Sequence, residues 1–175
     1  MTLLQARRHW RGAAPKLTSR QQRLYDFLHA HPVGVLSTVS PEGNPHGVVV
    51  YFTIDEDFTV HFLTKTGTRK YDNLVHHNHV TLTVFTAATQ TTVEFTGVAQ
   101  EDASNDAINR VAGAVFGASS HTSDSGLPPI VKLEAGRFTT FAIKPVQIRM
   151  AVYADHDTGG YRDIFESLES FELKT

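Results

Sequence analysis

Between residues 33 and 100 the sequence breaks into short β-branched runs separated by tight turns, and this punctuation restricts the fold more than any other feature. Val33 to Val39 is apolar and β-branched, Ser40-Pro41-Glu42-Gly43-Asn44-Pro45 is a strong turn signal, and His46 to Ile54 is a second run. Asp55-Glu56-Asp57 then turns the chain into Thr59 to Thr64. Runs joined this closely predict an antiparallel meander. Val80 to Phe85 and Thr92 to Ala99 predict a further hairpin, and Phe138 to Ile143 and Val146 to Tyr153 the last strands, parted by Lys144-Pro145. Three helices are expected among them. Ser19 with Gln22 forms a capping box ahead of Leu24, Phe27 and Leu28, and Pro32 ends that helix. A second runs from Arg69 to near His79, and a third from Asp102 to Phe116, with Ile108, Val111, Val115 and Phe116 on one side. Gly117 to Pro129 reads as a polar Ser/Gly/Pro loop. The expectation is a mainly β (α+β) chain: six to seven antiparallel strands closed into a small barrel, with flanking helices.

Composition excludes several function classes. Net charge is −2, so nothing draws the whole chain to nucleic acid. No cysteine is present, which removes disulfides, thiolate metal sites, iron–sulfur clusters and cysteine nucleophiles together, and fits a reducing compartment. No apolar run approaches the roughly 18 residues of a membrane span, and the start lacks the apolar core of a secretory signal. The expected location is cytoplasmic, with no membrane partner. Charge is nevertheless uneven. Arg7, Arg8, Arg11, Lys16, Arg20 and Arg23 all precede the first acid, Asp26, and Trp10 lies among them. Residues 1–18 read as a basic arm, 19–154 as the barrel domain, and 155–175 as an acidic segment packing on it.

The segment with most chemical content is Phe62-Leu63-Thr64-Lys65-Thr66-Gly67-Thr68-Arg69-Lys70-Tyr71-Asp72-Asn73-Leu74. A strand enters a glycine turn, and the hydroxyls of Thr64 and Thr68, an Arg-Lys pair and a helix start follow at once. Free backbone N–H groups at a helix start suit an anion. Arg69 offers a two-pronged donor and Lys70 a compact charge. With neither a Walker-type loop nor a dinucleotide glycine fingerprint in the chain, the arrangement suits a mononucleotide-like phosphate held against β-structure. A solvated helix face is the bland alternative.

At this point the chain resembles a known family. The turn Pro41-Glu42-Gly43-Asn44-Pro45, the strand Gly47-Val48-Val49-Val50-Tyr51-Phe52, the pattern Phe62-Leu63-Thr64-x-x-Gly67-Thr68-Arg69-Lys70-x-x-Asn73-Leu74, and Asn78-His79-Val80-Thr81-Leu82-Thr83-Val84 are similar, in order and spacing, to the pyridoxamine 5′-phosphate oxidase-like split β-barrel proteins. The resemblance implies a split β-barrel, a homodimer with cofactor sites at its interface, and FMN as ligand, with a deazaflavin or haem in some relatives. It places Thr64, Thr68, Arg69 and Lys70 on the FMN phosphate, and lays the strand from His46 through Val48, Val49 and Val50 along the flavin ring. It puts Thr92 where the other subunit supplies a polar residue. The activity implied is FMN-dependent transfer of a hydride or electrons to or from a small organic substrate. Haem binding or degradation, a deazaflavin-dependent reductase and a non-catalytic flavin-binding module are the alternatives.

The ending departs from the vitamin-converting oxidases. Those carry a C-terminal tryptophan and an Arg-x-His; here the chain reads Gly159-Gly160-Tyr161-Arg162-Asp163-Ile164-Phe165. Pyridoxamine phosphate oxidation is therefore not expected. His76, His77 and His79 crowd a helix end, where a histidine charge suits the dipole, but neighbours on a helix diverge by about 100°. No metal site is expected there. His121 and Asp124 sit in the polar loop, where a solvated role is the simpler reading.

Overall fold

The structure, a computed structural model, describes residues 17–122, 128–132, 134, 136–153 and 165–172. Residues 1–16 of the basic arm, Trp10 included, lie outside these, as do Asp124 and the 159–164 stretch.

Helix α1 (Ser19–Ala30) starts one residue earlier than the Ser19–Gln22 signal implies. Thr18 is the cap: its Oγ1 accepts from the Gln21 N–H at 3.3 Å, and Gln21 Oε1 accepts from the Thr18 N–H at 3.0 Å. Two successive glutamines allow either register, and Gln22 is instead spent on Asp26, at 2.8 Å. Leu24 and Leu28 then fall on the buried side.

The strands are β1 (Val33–Val39), β2 (Pro45–Ile54), β3 (Val60–Lys65), β4 (His79–Thr86), β5 (Thr91–Asp102), β6 (Phe138–Tyr153) and β7 (Phe165–Glu172). Helix α2 (Arg69–His76) joins β3 to β4, and α3 (Asn105–Thr122) follows β5. Every strand pairing is antiparallel. The order β3-β2-β1-β4-β5-β6 closes through β3–β6 into a six-stranded barrel, and β7 adds to β6 outside it. Strand alternation fills the interior with Leu36, Phe52, Phe62, Leu82, Phe95, Phe141, Ile143 and Ile148. The rings of Phe62 and Phe141 stack at 5.7 Å. Leu24 and Leu28 of α1 join this core, and Arg23 of α1 pairs with Glu169 of β7. Helix α3 packs outside the barrel, with Val111 and Val115 against Leu63 and Tyr51.

β7 lies beyond the strands read as the last, and two further readings of the sequence are corrected. The helix expected over Asp102–Phe116 runs from Asn105 to Thr122. Asp102 ends β5 and accepts from the Ser104 N–H, while Ser104 Oγ accepts from the Ala107 N–H. The first part of the expected polar loop is thus helical. Extending a helix already anchored by packing adds one bond per residue fixed, and this outweighs the weak local propensity. The second correction concerns Lys144-Pro145, read as a break. Here β6 is continuous, and the register against β5 slips between Thr96 and Gly97, leaving Val146 as the extra residue. A bulge is one of the few places where proline sits within a sheet.

The slip demands Gly97. A Cβ there would sit 2.5 Å from the Lys144 carbonyl oxygen and 2.7 Å from Ile143 Cγ2. Both neighbours belong to the barrel wall and cannot swing away. Gly97→Ala is expected to destabilise the protein by about 1–3 kcal/mol, as overpacking does, read as a lowered urea midpoint with an unchanged m-value. An unchanged midpoint would show that β6 can shift at the bulge without loss.

Candidate functional site

The site grows from the β3–α2 junction. Gly67 takes a φ of +77°, the left-handed region that favours glycine, and so lets β3 turn directly into α2. The turn is stapled to the start of β6: the Thr66 N–H donates to the Arg137 carbonyl, and the Arg137 N–H to Thr66 Oγ1, both at 2.9 Å. Thr68 is the N-cap of α2, yet its side chain makes no cap bond. Its hydroxyl donates to the Lys65 carbonyl at 2.8 Å and lies 3.3 Å from Thr64 Oγ1. Thr64 is wholly enclosed, so the two hydroxyls brace the turn from within.

The first two residues of α2 point to different places. Lys70 is 8% exposed. It lines a cleft of about 120 Å³ with Val48, Val49, Val50, Tyr51, Leu63, Val115, Pro128 and Ile130. Among the described residues no carboxylate pairs with it, and burial pushes its pKa below that of an ordinary lysine. Arg69 is exposed and faces a polar depression of about 520 Å³, whose lining includes Ser40, Glu42, Asn44, His46, Asp72 and Asn73. His46 Nδ1 is buried there, with no hydrogen-bond partner among the described residues. Burial first, then the charges of Arg69 and Lys70, hold its imidazole below the usual histidine pKa.

An uncharged chain of bonds fixes α2 against the strands. Asn73 Nδ2 donates to Thr38 Oγ1 at 2.9 Å, and the Thr38 hydroxyl donates to the His46 carbonyl at 3.3 Å. Both side chains are buried. This sets the distance between the cationic helix start and the β2 strand that carries His46 and Val48 to Val50.

Of the residues singled out in the sequence, Lys70, Val48, Val49 and Val50 share the cleft, and His46 and Arg69 share the adjoining depression. Thr64 and Thr68 line neither; their hydroxyls brace the β3–α2 turn. Thr92 is elsewhere: on β5 it pairs with Phe85 of β4, on the outer barrel face with Thr83, Val35 and Val49. Sequence reasoning missed Thr38, whose only signal was a hydroxyl at an inward-facing strand position, and missed Val115 and Ile130, which arrive from far along the chain. His76 and His77 are exposed, with His76 Nδ1 donating to the Asp72 carbonyl at 2.8 Å. Among the described residues no group of three or more histidines and carboxylates is placed to hold a metal. The side chain of His121 lies outside the described residues.

The family model described as pyridoxamine 5′-phosphate oxidase matches residues 21–151, and the chain belongs to that family. Among solved structures, a heme binding protein from Mycobacterium smegmatis superposes with a TM-score of 0.63 at 15% identity, covering 90% of this chain. The chain spans 60% of that protein's length. A pyridoxamine 5′-phosphate oxidase-related, FMN binding protein from Nostoc punctiforme matches with a TM-score of 0.55 at 15% identity, covering 92% of this chain and 100% of that one. A conserved hypothetical protein from Mycobacterium tuberculosis gives 0.62 at 22% identity, covering 85% and 96%. These likenesses establish the split-barrel fold. No curated protein matches the chain.

The bracing network makes a measurable claim. Asn73→Ala leaves the buried Thr38 hydroxyl without its donor and should cost about 1–3 kcal/mol. Combined with Thr38→Val, the loss should fall short of the sum of the single losses by at least about 0.5 kcal/mol, the coupling expected of residues in one network. Strict additivity in denaturant unfolding would remove the network from the description of the site.

Proposed function

We propose that this chain binds FMN at the β2–α2 cleft and serves as an oxidoreductase, passing a hydride or electrons between the flavin and a small organic molecule. The observation that carries this reading is Lys70: a buried cation, unpaired among the described residues, at the start of a helix. Burying a charge without a partner is costly, and an anion docking at Lys70 and Arg69 offsets the cost. A phosphate monoester, with its charge of about −1.5 to −2 and three acceptor oxygens, matches the donors. The β2 segment Val48–Val50 supplies backbone groups and an apolar wall for a flat ring. When bound, the flavin supplies the redox chemistry, and the protein's part is position and electrostatics. The FMN-binding relative supports the flavin, and the heme-binding relative makes haem the competing ligand. The absorption spectrum of the purified protein separates flavin bands from a Soret band.

Arg69→Ala/Lys70→Ala is expected to weaken FMN binding at least about a hundredfold. Each charge-assisted bond is worth roughly 1.5–3 kcal/mol, and 1.4 kcal/mol is about tenfold. Fluorescence titration with FMN measures this, and an unchanged affinity would refute the phosphate assignment.

The site is proposed to be completed by a second copy of the chain. The single-chain cleft of about 120 Å³ is well below the roughly 300 Å³ at which small-molecule sites begin. Beside it the outer barrel face is apolar and bare: Val49 is 60% exposed and Phe85 56%. Val35 lies directly across from Val49, and Thr92 across from Phe85. Pairing of this face about a two-fold axis brings the partner's apolar surface to the cleft. Light scattering of the flavin-loaded protein should give twice the 19.4 kDa chain mass; a monomer with flavin bound would exclude the interface site.

A further inference from the structure

One polar group at the site is left unused by the phosphate contacts. His46 Nδ1 is shut off from water and meets no hydrogen-bond partner among the described residues. The ring belongs to the same depression as Arg69 and Asn73, and its backbone is pinned through Thr38 to Asn73 of α2. His46 therefore cannot drift away from the cations without breaking buried bonds. The charged groups around it are Arg69, Lys70 and Asp72 on α2, and Glu42 in the β1–β2 turn, with the titratable His76 facing Glu42. Glu42 is exposed, and its carboxylate accepts from Ser40 Oγ at 2.7 Å. Asp72 is also exposed, and neither acid forms an ion pair with His46, Arg69 or Lys70 among the described residues.

We propose that His46 is the proton-linked member of the anion site, taking up a proton as a phosphate monoester docks against Arg69 and Lys70. The inference rests on the phosphate-binding reading above and adds a residue role and a pH dependence to it. In the empty site, the ring is disfavoured as a cation by burial and by two neighbouring positive charges. A docked dianion reverses the balance: it offsets Arg69 and Lys70 and stands as an acceptor beside the ring. A protonated imidazole donates from both nitrogens, so the orphaned Nδ1 gains a use. The sign follows from linkage. Between the empty-site and bound-site pKa values the complex holds one more proton than the free protein. Affinity therefore rises as pH falls through the bound-site value, and levels off below the empty-site value. The phosphate's own second ionisation, near about 6, acts oppositely, because cations select the dianion and release its proton. Net uptake thus points to the protein.

Titration calorimetry with FMN, at about pH 7 where histidine titrates, in buffers of different ionisation enthalpy, reads the proton count directly. The expected result is net uptake approaching one proton per site, with none for riboflavin, which has the same ring without the phosphate. In H46Q the uptake should vanish, and its affinity deficit against the parent protein should grow as pH is lowered from 8.5 to 6.5, by at most about tenfold per unit. Zero uptake or net release with FMN bound, or the same uptake in H46Q, overturns the proposal. Failure of the function reading looks different: no FMN binding at all. In that case the ring resonances of His46, titrated by NMR with inorganic phosphate as probe, decide the matter. Movement toward the imidazolium form upholds the proton link for phosphate; unmoved resonances overturn it.

Discussion

Strand β6 changes partners halfway along, and the rest of the molecule depends on that exchange. From Phe138 to Ile143 it pairs with β3, and from Gln147 onward with β7, while β5 stays on its other edge throughout. Pro145, with no N–H to donate, stands in the gap between the two partners, where no ladder bond is missed. On the β5 side the extra residue Val146 is absorbed opposite Gly97, the residue type that lets the strands approach this closely. Closure through β3–β6 joins the two outer strands of the six-stranded sheet. It also fixes the end of β3, because the turn at Thr66 is bonded to Arg137 just before β6 begins. The position of α2, and so of Arg69 and Lys70, is inherited from barrel closure.

On that frame the site separates structural from chemical polarity. Thr38, Asn73, Thr64 and Thr68 are neutral and spend their hydrogen-bonding capacity on one another or on the backbone. The charges are left for something else. Lys70 illustrates the division: burial lowers its pKa, and no carboxylate pairs with it among the described residues. A cation that served only stability would be paired or would reach solvent. Here the fold carries the cost of an unpaired charge at a helix start, where the backbone also favours an anion.

What the sequence reveals follows the range of the interactions. The β-branched runs and the turns between β1, β2 and β3 are local, and Val33–Val39 reads directly because it combines β-branched residues with a strong turn signal. The Arg69–Lys70 helix start is equally local. The bulge at Val146 is not: proline in a strand-like run argues for a break unless the opposite strand supplies a glycine at one position, and that pairing lies almost fifty residues away. The extension of α3 through Thr122 is set by Val111 and Val115 packing on Leu63 and Tyr51, again a long-range contact. Within the site, Lys70 and Arg69 are legible as a pair, but their division between an enclosed cleft and an open depression appears only when β2 and α3 are placed. Thr64, read as a ligand group, lies behind the surface because β3 is buried on both faces: barrel core on one side, α3 and the turn on the other.

The packed interior also explains where ligand chemistry can sit. A barrel of eight strands is just wide enough to be filled by side chains, and this one has six. Phe52, Phe62, Phe95 and Phe141 are fully buried in its interior, which leaves little room for a ligand of cofactor size there. The proposed site lies outside it, where Lys70 of α2 and Val115 of α3 line one cleft with Val48 to Tyr51 of β2. The barrel therefore sets the platform without choosing the ligand, as expected when one fold carries several functions. Proteins described as heme binding and as FMN binding both match this fold at 15% identity. On the proposed reading, choice falls to the few side chains at the platform's rim: a buried lysine, an exposed arginine and a histidine whose Nδ1 has no hydrogen-bond partner among the described residues.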